Sequence, residues 1–182
     1  MQFKITFRNQ YKALDFTLFL LLFTVACILY FKYTDPYFNL EIFVWIFLAL
    51  LIPVLYLHIE YLLINSNSFL KINSDLSSLH YVESNKVIDL DFNQTERIIL
   101  YLVPSAYRSP IERKMHFLPI ESYGYAVIYS KEGDKIIITS LMIPDLYEEF
   151  SKIKGITLVK KKRFLASPSL EKLIQWFSKD GL

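Results

Sequence analysis

A chain of 182 residues, 53% apolar, 16% aromatic and 21% charged, has the length of one domain or two small parts and is too apolar for disorder. Its net charge of +2 is no nucleic-acid signature by itself, and four glycines leave little room for glycine-rich phosphate loops. The lone cysteine, Cys27, excludes an intrachain disulfide, so nothing places the polar part in an oxidising compartment.

The first segment, QFKITFR, alternates Phe3, Ile5 and Phe7 with Gln2, Lys4, Thr6 and Arg8. That period of two predicts a strand rather than a helix. Such a strand can pair with the edge of a later sheet and tie that sheet to the N-terminal part of the chain. The alternative for residues 1–10 is a frayed tail.

Residues 11–64 read as a two-helix transmembrane hairpin. No residue from Phe16 to Phe31 is charged, nor any from Ile42 to Ile59. At 1.5 Å per residue these cores make roughly 24 and 27 Å of helix, a little short of a hydrocarbon layer of roughly 30 Å. Apolar flanks lengthen both spans, Lys12 and Lys32 can snorkel, and Tyr30, Tyr33, Tyr37 and Tyr56 suit the membrane–water boundary. Helices of a soluble bundle would show a polar stripe, and Thr17, Thr24 and His58 are too sparse to make one. A signal peptide is disfavoured because the apolar run is too long and no small-residue cleavage site comes after it. Pro53 predicts a kink that membrane helices tolerate. FKYTDPYFN, residues 31–39, is then the hairpin tip, with Asp35-Pro36 starting its turn. Lys4, Arg8 and Lys12 precede the first span while the tip has Lys32 alone, so both termini are expected on the cytoplasmic side.

Beyond residue 65 the periods shorten. Strands are expected at 67–73, 77–83, 86–90, 94–103, 113–119, 122–130 and 135–140, with 104–112 as a loop. Turns fall at Asn73-Ser74-Asp75, Ser84-Asn85 and Glu132-Gly133-Asp134. A helix is expected over 144–154, with Pro144 at its first position, Leu146, Phe150 and Ile153 as its apolar stripe, and Gly155 as its stop. A strand over 156–164 carries Lys160-Lys161-Lys162-Arg163. A last helix over 168–179, capped by Ser167, has Leu170, Leu173, Ile174 and Phe177 as its apolar face. The sheet is where that face is expected to pack, with the membrane next.

Seven short antiparallel strands followed by an amphipathic helix resemble the pleckstrin-homology-like fold. With MQFKITFRNQYKALDF at the start and YGYAVIYSKEGDKIIITSLMIPDLYEEF near the end, the chain resembles small bacterial membrane proteins that join a two-helix hairpin to a PH-like domain. The resemblance spans most of residues 1–155. It implies a membrane α-helical hairpin plus an α+β part: a PH-like antiparallel β-sandwich or barrel over 65–155, closed by a helix. It also implies a bacterial inner (plasma) membrane protein, a non-enzymatic protein-binding domain, and no cofactor or defined ligand. Residues 156–182 exceed the usual count.

Candidate chemistry is sparse. Lys160, Lys161, Lys162, Arg163 and Trp176 are the expected contacts to lipid or a partner, since a basic run is drawn to an anionic leaflet. In an extended strand only alternate residues of that run share a face. No aromatic platform around it supports nucleic-acid binding. His58 and Glu60, two apart, point to different sides of a helix, and an interfacial role is expected for them rather than a proton relay. Asp89 and Asp91 share a face if extended, but a lone D-x-D is common and reads as a solvated strand end, not a metal site. His80 and His116 lack companions at metal-ligand spacing. No phosphate-loop, nucleophile-elbow, zinc-protease or C-x-x-C motif occurs.

Three functions are consistent with these features. The first is a membrane-anchored, cytoplasm-facing module that binds a partner protein or lipid and does no chemistry. The second is an accessory subunit of a membrane transport or envelope complex that binds through its hairpin. The third is an interfacial enzyme using Asp89, Asp91 or His116.

Overall fold

Thr6 decides where the first strand ends. Its backbone is extended and its hydroxyl accepts from the Asn9 N–H at 3.2 Å, which caps a helix. The strand expected over residues 2–8 is therefore only Gln2–Phe3 (β1), and helix α1 runs Phe7–Thr34. The structure, a computed structural model, describes residues 1–35, 37, 39–73, 78–84, 86–104, 118–153 and 155–172. Phe7, on the apolar side of the expected strand, instead opens the first helical turn and is exposed.

Helix α2 runs Leu40–Asn65, with Pro53 inside it, and the Asn39 side chain caps it by accepting from the Glu41 and Ile42 N–H groups. At 28 and 26 residues the helices reach about 42 and about 39 Å. Both are long and apolar enough to cross a membrane. Only 11% and 17% of their most apolar stretches are buried within the molecule.

Among the described residues the strands form two four-stranded sheets. The first, in the order β1-β2-β3-β4, combines β1 with Ser68–Asn73 (β2), Ser78–Glu83 (β3) and Lys86–Asp91 (β4), all antiparallel. In β1, Gln2 faces Lys71 and Phe3 faces Leu70, so the sheet takes its edge strand from before the hairpin. A 3₁₀ turn, Phe92–Gln94, whose capping box is built on Asp91, leads into the second sheet. That sheet, in the order β7-β6-β5-β8, contains Thr95–Leu102 (β5), Gly124–Ser130 (β6), Lys135–Thr139 (β7) and Leu158–Lys162 (β8). Strand β8 lies parallel to β5. Gly133, at φ 94°, makes the β6–β7 turn that the sequence predicts.

The core lies between the sheets. Leu70, Ile72, Leu79, Tyr81, Ile88 and Leu90 meet Ile98, Leu100, Leu102, Ala126, Ile128, Ile136 and Ile138. Helix α3, Leu146–Ser151, adds Leu146 and Phe150 to that core. It is shorter than the expected 144–154, because Pro144 lies in the preceding turn and the chain leaves the helix at Lys152. Leu118 and Pro119 form no strand. Pro119 opens a 3₁₀ turn, Pro119–Ser122, and the rest of the expected strand 113–119 lies outside the described residues. Of the expected last helix, residues 168–172 are described and are helical. Ser167 caps them by accepting from the Leu170 N–H at 3.2 Å.

The first sheet buries one face and wets the other, so β2 alternates along SFLKIN. The second sheet is covered on both faces. Ile99, Tyr101, Val103, Tyr125 and Val127 point away from the core just described and are buried against the hairpin and the segment around Ala166. That two-sided burial explains why the stretches IILYLV and YAVIY are apolar at every position. The architecture is two long apolar helices followed by two sheets and a few short helices, consistent with a PH-like α+β fold.

Candidate interaction site at the hairpin–sandwich junction

The last turns of α2 carry a stripe that the charge pattern of the sequence does not reveal. Val54, Leu57, His58, Tyr61 and Asn65 recur at helical spacing and are all buried. Val54, Leu57 and Tyr61 join Ala13 of α1 and the outer face of the second sheet in one cluster. Burying each large apolar side chain contributes about 2 kcal/mol.

Polar groups on the stripe fix its register. Asn65 Nδ2 donates to the Ile137 carbonyl at 3.0 Å, and Asn65 Oδ1 accepts from the Thr139 N–H at 2.9 Å. His58 Nδ1 meets the Tyr123 hydroxyl at 2.9 Å, and the Tyr61 hydroxyl donates to the Ala166 carbonyl. Glu60 points elsewhere, as spacing by two requires. Its Oε1 accepts from the Ser169 N–H at 2.7 Å and so satisfies a donor at the start of the last helix. The roles of His58 and Glu60 in the fold are thus to join α2 to the sandwich.

Helix α1 meets the sandwich at its first turns. Asn9 Nδ2 donates to the Leu141 and Met142 carbonyls, and Lys12 Nζ lies 3.9 Å from Asp145. Between them opens a cavity of about 190 Å³, lined in part by Lys12, Asp15, Glu121, Ser140, Asp145 and Tyr147. Asp15 is also the last charge before the uncharged core of α1, so the cavity sits where the apolar span begins.

Lys160, Lys161 and Lys162 of the basic run fall on β8 and Arg163 lies just past it, and the strand divides the run between its faces. Lys160 Nζ lies 3.5 Å from the centre of the Tyr147 ring. Lys161 and Arg163 lie 5.5 and 5.7 Å from the centre of the Tyr101 ring, a range in which cation–π attraction operates. Tyr101 stacks on Tyr125, with centroids 4.5 Å apart and planes within 8°. Arg163 also grips Glu171 through a two-bond fork of 2.9 Å each, which pushes its pKa up. Arg97 and Lys135 flank the ring of Tyr129, and Lys135 is shifted down by burial first and by Lys172 second. The outer face of the second sheet is therefore a tyrosine platform edged by cations.

Other candidates lie away from this junction. Asp89 pairs with His80 across β3 and β4, and Asp91 caps the 3₁₀ turn by accepting from the Asn93 N–H at 3.0 Å. Among the described residues no group of three or more His, Cys, Asp or Glu side chains could hold a metal. His116, Trp176 and Phe177 lie outside the described residues.

A family model described as PH domain matches residues 2–148. The chain belongs to the PH domain family. The match starts in β1, runs through both apolar helices and ends in α3, so the hairpin lies within the PH domain's matched span, between its first and second strands. Strand β8 and everything after it lie beyond the match. No curated protein and no solved structure matches the chain. PH domains are typically non-catalytic modules for protein or lipid interaction, and membership suggests an interaction module here.

Proposed function

We propose that the chain is a membrane-anchored PH module whose hairpin crosses the bilayer and whose sandwich works at the cytoplasmic surface, docking a partner protein or lipid without chemistry. The observation that carries this reading is the hairpin's lack of cover. Leu22, Phe23, Trp45, Ile46 and Ile52 are all more than half exposed. A soluble fold has no solvent for such a surface, whereas a bilayer supplies one. The expected cytoplasmic side of both termini rests on Lys4, Arg8 and Lys12 against Lys32.

The hairpin's insertion between β1 and β2 supports a module held rigidly at the surface rather than one tethered by a linker. The basic residues that edge β8, Lys161 and Lys162 among them, are the groups this reading offers to a partner or lipid, since Tyr101 and Tyr125 beneath them are buried. Alkaline carbonate extraction of membranes that contain the full chain tests the anchor. The protein should stay with the lipid, and release of folded protein into the supernatant would contradict the reading.

A further inference from the structure

We propose that the corner after β8, Lys162 to Phe164, docks onto an anionic lipid surface. Phe164 enters the boundary layer and Lys162 meets lipid phosphates. The inference rests on the hairpin's being in a membrane and adds which part of the sandwich touches lipid, and which lipid.

Phe164 is 71% exposed. Among the described residues after the hairpin, the only other exposed large apolar side chain is Val87, on the wet face of the first sheet. The two differ in what surrounds them. Just past Phe164 the chain is tied to α2 three times: Ala166 to the Tyr61 hydroxyl, Ser167 Oγ to the Tyr56 hydroxyl at 3.4 Å, and the Ser169 N–H to Glu60. Val87 has no such tie to either helix among these bonds.

The helix gives a depth scale. Tyr56 precedes Asn65 by nine residues, about 13 Å along the axis towards the hairpin tip. On the open side of α2, Leu55, Ile59 and Leu63 are apolar and 43, 57 and 78% exposed. Leu63 lies seven residues, about 10 Å, on the sandwich side of Tyr56, so a bilayer that covers those three side chains extends past the level at which Ser167 meets Tyr56. Phe164 and Lys162 precede Ser167 by three and five residues, which brings the corner within reach of the boundary, where an aromatic ring is at home and a lysine can reach outward.

Charge selects the lipid. Lys162 is exposed, while Arg163 is turned to Glu171 and Tyr101. An exposed lysine beside an exposed phenylalanine at this depth complements a negatively charged surface.

Spin labelling of the full chain, with Cys27→Ser to remove the native thiol, tests the proposal. Labels are placed at Phe164→Cys, Val87→Cys and Leu22→Cys in vesicles of phosphatidylcholine with or without phosphatidylglycerol. With phosphatidylglycerol, the label at 164 should be relaxed more by oxygen than by a water-soluble nickel complex, as at 22, and the order should reverse at 87. Removing phosphatidylglycerol or adding Lys162→Glu should move 164 towards the nickel side. A label at 164 that meets nickel while 22 meets oxygen overturns this inference and leaves the anchor standing. One shielded from both reagents shows a protein cover and also overturns it. Oxygen contact at 164 that ignores phosphatidylglycerol overturns the choice of lipid. Nickel contact at 22 overturns the anchor and this inference together.

Discussion

Asn65, the last residue of α2, takes the place of a neighbouring strand at the edge of β7: its side-chain amide donates to the Ile137 carbonyl and accepts from the Thr139 N–H. The side chain is fully buried. A helix thus ends by closing a sheet edge that would otherwise be open. The joint between hairpin and sandwich is made by directional bonds as well as by apolar contact.

Asn65→Ala should destabilise the fold by about 3 kcal/mol, because it strands a buried donor and a buried acceptor together. Asn65→Asp should be at least as harmful, since it keeps the acceptor but presents oxygen to the Ile137 carbonyl. Asn39→Ala, which removes only the exposed cap of α2, should cost about 1 kcal/mol. Denaturant midpoints in detergent, followed by circular dichroism, rank the three.

Deleting the hairpin should not release a well-behaved soluble domain. The cut removes β1 from the first sheet and bares Ile99, Tyr101, Tyr125, Val127 and Leu141 on the second. We expect residues 66–182 to aggregate or to need detergent, as judged by size-exclusion chromatography with light scattering. A monodisperse monomer with a cooperative melt would mean that the outer face needs no cover.

Alkaline pH should unfold the junction. Burial pushes the phenols of Tyr123 and Tyr125 well above their ordinary value of 10.0, and the neighbouring Tyr101 adds to the effect on Tyr125. The folded state therefore holds these protons more tightly than the unfolded one. Below pH 10 both states are protonated and the stabilisation is complete. Above pH 10 the unfolded chain ionises first, so stability falls by about 1.4 kcal/mol per pH unit for each tyrosine still protonated in the fold. Absorbance at 295 nm should show these phenols ionising only with unfolding. Early, reversible ionisation of every tyrosine in the intact fold would contradict this.

Much of the architecture was legible in the residues. The uncharged stretches Phe16–Phe31 and Ile42–Ile59 located both helices, and Gly133 located its turn, because charge absence and positive φ are local properties. The strand expected over 2–8 does pair with a sheet edge but stops at Phe3, because period two competes with a Thr6 cap whose partner, the Asn9 N–H, is visible only in three dimensions. The stripe Val54, Leu57, His58, Tyr61 and Asn65 was present in the sequence, but on a helix apolar all round it does not stand out. The unbroken apolar runs of β5 and β6 carried a readable signal of two-sided burial. The stacking of Tyr101 on Tyr125 and the ring neighbours of Lys160 and Lys161 come from strands distant in sequence, and no local pattern encodes them.

Sidedness tests the account most directly. In sealed cells that carry the full chain with Cys27→Ser, Tyr37→Cys at the hairpin tip and Glu132→Cys at the β6–β7 turn can be probed with a membrane-impermeant thiol reagent; both native side chains are exposed. The account predicts immediate labelling at 37, and labelling at 132 only after permeabilisation. Equal labelling of both positions in sealed cells, or recovery of both in a detergent-free soluble fraction, would contradict a hairpin that crosses the bilayer and returns the chain to the side where the sandwich works.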